Sequence, residues 1–166
     1  MSDAQKKGKE LWFYSADGPA RSFDPFSYYL LQAWHAFAVG GKGSCFWAFG
    51  DNGAVSVWNE YPAEGNGPYC PMYLDATSVT TAKWMEAIRE SAEDFEYLTM
   101  LRDRVAKLEA AGKTGEALDK AKALLTEGPK RVLAGEKGAN YTWDRPKDRG
   151  IADRVRYEVL DALEEL

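Results

Sequence analysis

Only two runs in this chain, Glu10–Tyr14 and Ser44–Phe49, read as buried strands, and a single helix lies between them. The first run ends at the loop signal Ser15-Ala16-Asp17-Gly18-Pro19. Asp24-Pro25 then offers an N-cap followed by a first-turn proline. Residues 26–39 are apolar nearly all round, including Tyr29, Leu30, Ala33, Trp34 and Phe37, so the helix is expected to pack on several sides. Gly40-Gly41-Lys42-Gly43 stops it ahead of the second strand. Strand, crossover helix and strand predict one βαβ unit with parallel strands. Parallel sheets are buried on both faces, so such a pair needs neighbours that this sequence does not supply. A complete eight-stranded α/β barrel takes roughly 250 residues, against 166 here. The expected fold class is therefore α/β: the C-terminal portion of a (β/α)8 TIM-type barrel, its last two strands and their helices, followed by an α-helical tail.

A composition shift near Ser78 divides the chain. Residues 1–78 carry thirteen charged side chains and residues 79–166 carry thirty-four, so the strands belong to the first part and the helices to the second. Residues 50–71 hold four glycines and three prolines, a long loop of the kind that is usually functional or disordered. Tyr69–Leu74 reads as a short extended piece. Ser78-Val79-Thr80-Thr81 then reads as a helix N-cap region. Trp84, Ile88, Ala92, Phe95, Leu98, Leu101, Val105 and Leu108 recur at steps of three and four, which predicts one amphipathic helix of about seven turns. Gly115–Leu125 predicts a second helix, broken at Gly128-Pro129, and Asp148–Leu166 a last one. The expected division is a barrel segment over 9–110 and a helical tail over 111–166.

The bulk numbers exclude several classes. A net charge of −5 with no dense Lys/Arg block argues against nucleic acid as a partner. No apolar run approaches the roughly 18–20 residues that span a membrane. The polar start, Met1-Ser2-Asp3-Ala4-Gln5-Lys6-Lys7, lacks a signal-peptide core, so the chain as written reads as soluble and unexported. Cys45 and Cys70 match no zinc spacing. Cys45 is expected to be buried, and the two thiols to be unpaired. His35 is the only histidine, which rules out metal sites needing two; it reads as a satisfied structural residue. No cofactor or metal is expected. Asp148–Arg156 alternates in sign and reads as a solvated helix face.

Several motifs resemble the C-terminal part of the exo-β-N-acetylgalactosaminidase-like glycoside hydrolases and their bacterial relatives. They are Trp12-x-Tyr14 before a Gly-Pro loop, Tyr28-Tyr29-x-x-x-x-Trp34, Gly43-Ser44-x-Phe46-Trp47, and above all Arg89…Glu93-Asp94-x-Glu96-Tyr97-Leu98. The resemblance covers about residues 9–108 and implies a barrel end whose full-length relatives usually act outside the cytoplasm. It also implies a substrate-assisted mechanism, in which the sugar's acetamido oxygen attacks the anomeric carbon while an adjacent Asp-Glu pair orients the amide and supplies the acid. No Asp-Glu dipeptide occurs in this chain, and Leu30 stands where the family often has arginine. Glu93-Asp94 and Glu164-Glu165 lie on predicted helices, and Glu93 is more simply an i,i+4 partner of Arg89. No catalytic residue is therefore assigned, and the chain alone is expected to be inactive.

The non-catalytic part of such a site is better represented. Sixteen of twenty-two aromatic residues lie between Glu10 and Asp75, and aromatic rings with nearby carboxylates suit carbohydrate. Barrel sites are built where strands end, which points to Tyr14, Trp47, Asp51, Trp58 and Glu60 as substrate-binding residues. A tryptophan would lie under the sugar ring and the carboxylates would accept from hydroxyls. Trp47 reads equally as barrel packing, and Trp58 equally as a pin for its loop. Trp12, Trp34 and Trp84 read as core. Expected partners are carbohydrate and either a missing N-terminal barrel portion or a second copy of the chain. The alternative reading is a stand-alone carbohydrate-binding or protein-interaction module with a helical association surface.

Overall fold

A computed structural model describes residues 3–16, 22–51, 57–58, 68–136, 141, 143 and 146–166. In chain order the elements are α1 (Asp3–Lys6), β1 (Trp12–Ser15), a π-helical turn (Phe26–Leu30) leading into α2 (Leu31–Ala38), β2 (Gly43–Phe46), β3 (Tyr73–Leu74), β4 (Val79–Thr80), α3 (Lys83–Ala110), α4 (Glu116–Leu133) and α5 (Ile151–Glu165). The βαβ unit forms as its sequence requires. Strands β1 and β2 pair in parallel, with Trp12 opposite Gly43 and Ser15 opposite Phe46. Asp24 opens the crossover helix, its carboxylate accepting the Phe26 N–H at 3.2 Å.

The core is helical. Leu31 and Trp34 from α2, Leu98 and Leu101 from α3, Ala121 from α4, and Ala152, Val155 and Val159 from α5 bury their side chains in one cluster. Residues after Gly112 thus share a core with the crossover helix. Along α3 the buried positions are Trp84, Ala87, Ser91, Asp94, Leu98, Leu101 and Val105, a seven-residue repeat. Two polar residues on that stripe act as helix-to-helix ties. Ser91 Oγ accepts the Ala33 N–H at 3.2 Å, and Asp94 accepts the Trp34 indole N–H at 2.8 Å while pairing with Arg156 of α5.

Several expectations need correction. Neither strand is buried: Trp12, Phe13 and Tyr14 are exposed, as are Ser44 and Cys45. A parallel strand acquires burial from covering layers on both faces, and here the described helices supply only one. Trp12 is consequently not a core residue, and Cys70 is the buried thiol; Cys45 and Cys70 form no disulfide. Val79 and Thr80 form a short hairpin with Tyr73 and Leu74 and do not cap α3. Helix α4 runs through Gly128-Pro129. An interior proline costs roughly 3 kcal/mol, but this one is buried, next to Gly128, which faces α5. A side chain at Gly128 would meet Val155 Cγ1 at 3.0 Å, so its hydrogen lets the two helices approach. Asp148–Arg156 is not simply solvated either, since Arg149 and Arg156 both reach buried carboxylates.

Candidate functional site

Alternation along the two strands divides their side chains between two faces. Ser15 donates to Tyr28 Oη at 2.9 Å, Ser44 to Gln32 Oε1 at 2.5 Å, and Phe46 packs edge-on against Tyr29, so these three point toward the crossover helix. Trp12, Tyr14 and Cys45 have the opposite parity and are all exposed. The ladder continues one residue past β2, where the Trp47 N–H donates to the Ser15 carbonyl at 2.8 Å. The Trp47–Ala48 peptide is cis. The Trp47 indole N–H then donates to Asp51 Oδ2 at 2.7 Å, and Phe49 is also exposed.

Of the five predicted site residues, Trp47 and Asp51 are thereby brought together at the C-terminal end of β2. Tyr14 is opposite Cys45 on the neighbouring strand. Trp58 stacks on Tyr73, with ring centroids 4.5 Å apart and planes 17° from parallel, and keeps its other side exposed. Glu60 lies outside the described residues, as do Asn52 and Asp17. The expectation that Glu93 pairs with Arg89 holds, with 2.5 Å between guanidinium and carboxylate, and Glu86 joins the same arginine at 2.9 Å. Asp94 is fully engaged with Trp34 and Arg156, and its burial raises its pKa. Both members of the acidic pair are therefore held by structural partners, Glu93 by Arg89 and Asp94 by Trp34 and Arg156.

A second region went unread in the sequence. A cavity of about 580 Å³ separates β1 from the crossover helix. His35 lies on its wall, exposed, and does not have the satisfied structural setting expected of it. Enough of the ring is crowded by the cavity that desolvation lowers its pKa, with the Glu136 carboxylate pulling the other way. Ser27 Oγ donates to Glu136 Oε1 at 3.2 Å, and Lys147 Nζ donates to Ser27 from behind while pairing with Asp24. Glu136 follows the helix that was expected to stop at Gly128, so nothing in its local sequence marked it. The buried position of Asp94 was legible in principle, because the seven-residue spacing from Trp84 to Val105 places it on the inner stripe.

No group of three or more His, Cys, Asp or Glu side chains among the described residues could hold a metal ion, and no described helix is long and apolar enough to cross a membrane. No family model matches the chain, and no curated protein matches it.

Proposed function

We propose that this chain is the closing part of a glycoside-hydrolase-like (β/α)8 barrel, contributing aromatic and acidic residues to a carbohydrate site while the catalytic Asp-Glu pair is supplied from elsewhere. The single observation that carries the reading is the uncovered face of β1 and β2. In a closed barrel the strand face turned away from the helices points into the barrel. Here that face bears Trp12, Tyr14 and Cys45, with the exposed Trp47 just beyond, and both outer edges of the pair lack a neighbouring strand among the described residues. Beside β2, a largely apolar groove of about 230 Å³ runs beneath α3, lined by Tyr29, Phe46, Ile88 and Phe95. The helix-facing side chains of a next strand would suit that groove.

On this reading Trp47 offers its ring to the sugar while Asp51 fixes the indole, and Trp58 approaches from the following loop. The substrate class is a β-linked N-acetylhexosaminide, and the chain's own role is binding and closure. An assay with an aryl N-acetyl-β-galactosaminide tests it. The isolated chain should give no turnover, and its tryptophan fluorescence should respond saturably to N-acetylgalactosamine oligosaccharides. Robust hydrolysis would refute the missing-acid argument.

The shared core favours a second reading. Because α4 and α5 bury Leu118, Val132, Val155 and Val159 against α2 and α3, the helical layer has the makings of a stand-alone binding module. A monodisperse monomer that melts cooperatively and does not bind an apolar dye would favour it over the barrel part.

A further inference from the structure

The layer between a parallel strand and its crossover helix is ordinarily apolar, because both elements bury that face. Here, beside the apolar Phe13 and Phe46, it carries polar residues: Ser15 and Ser44 come from the strands, and Gln32 and His35 from the helix. Local rules tend to be broken at functional sites. The strand β1 stands off from α2 far enough to leave a cavity of about 580 Å³, within the roughly 300–1,000 Å³ typical of small-molecule sites.

Most of the polar groups on these walls already satisfy one another. Gln32 donates to the Tyr28 carbonyl at 2.7 Å and accepts from Ser44, and Ser15 is tied to Tyr28. Two groups keep capacity. Among the described residues His35 makes no side-chain hydrogen bond, and Glu136 uses only Oε1, toward Ser27. Aromatic surface comes from Phe13, which shares the helix-facing parity of Ser15, and from Tyr141. We propose that this cavity binds a neutral polyhydroxylated ligand the size of one sugar unit, with His35 and Glu136 bonding its hydroxyls and Phe13 and Tyr141 flanking its ring. The Glu136 carboxylate disfavours an anionic ligand. The Lys147 ammonium behind Ser27 offsets part of that charge, so a cation gains little. Burial keeps His35 toward its neutral form, able both to donate and to accept.

This site lies on the helix side of the sheet and does not depend on the barrel reading. The test uses the full chain and its single histidine, whose imidazole gives one pair of nitrogen resonances. N-acetylgalactosamine, galactosamine and galacturonic acid are titrated separately at neutral pH. The expected result is a saturable shift of the His35 signals with the neutral sugar, weaker with the cation and absent with the anion. Glu136→Gln should weaken that binding on the order of tenfold, while Trp58→Ala, remote from the cavity, should leave the His35 shift unchanged. No response of His35 to the neutral sugar, tighter binding of either charged sugar, or an unaltered affinity in Glu136→Gln would overturn the proposal. A response at His35 that survives loss of Trp47 and Trp58 would support this cavity and leave the strand-end site to be judged on its own.

Discussion

The chain's tryptophans fall into two environments. Trp34 and Trp84, on the crossover helix and α3, are 0% and 2% exposed, whereas Trp12 and Trp47, on β1 and just past β2, are 58% and 49% exposed. The first pair sits in a layer where the indole and carboxylate groups brought inside have partners: the Trp34 indole meets Asp94, the Trp84 indole the Phe23 carbonyl at 3.2 Å, and Asp94 meets Arg156. The second pair lies on a sheet with one covered face. A buried indole is fixed by its partners, while an exposed one is available to a ligand or to further protein. The contrast locates the buried core in the helices and leaves the tryptophans of the strands exposed.

The strongest way to break that contrast is to unpair the helical layer. Arg156→Ala leaves the Asp94 carboxylate buried without its cation, and should cost about 3–5 kcal/mol; urea denaturation reads it directly. A loss below about 1 kcal/mol would mean that water reaches Asp94 and the layer is not closed. Leu101→Ala should cost about 2–5 kcal/mol, whereas Phe49→Ser on the exposed side should stay within about 0.5 kcal/mol. Equal penalties at the two positions would show that the aromatic sheet face is covered in solution.

Smaller effects sharpen the picture. Trp58→Ala removes the stack on Tyr73 and should cost about 0.5–1.5 kcal/mol. If that variant also loses sugar-dependent fluorescence quenching, Trp58 contacts ligand as well as pinning its loop. The smallest change concerns the α4–α5 seam, where Arg131 holds Glu158 through two bonds of 2.7 Å. Those bonds lower the Glu158 pKa. The contribution is therefore present above the ordinary carboxylate range and fades as pH falls through the lowered folded-state value. Glu158→Gln should cost no more than about 1 kcal/mol at neutral pH, given the exposure of both groups. Melting curves of the variant and the parent should converge in strong acid.

Local chemistry decided a good part of this molecule. The Asp24-Pro25 helix start, the glycine stop before β2 and the Arg89–Glu93 pair each depend on residues a few positions apart, where backbone preference and i,i+4 geometry act directly. Other features depended on contacts between distant segments. Asp94 meets Arg156 across 62 positions, and Asp24 meets Lys147 and Arg149 across more than 120. Pro129 is buried inside α4, which a local breaker rule does not capture. Whether a strand of aromatic residues lies inside or outside is likewise not written in the strand. The pattern Trp12-Phe13-Tyr14 is equally suited to a covered and an uncovered sheet, and only the placement of the surrounding layers, set by which elements reach which face, left Trp12 and Tyr14 in the open.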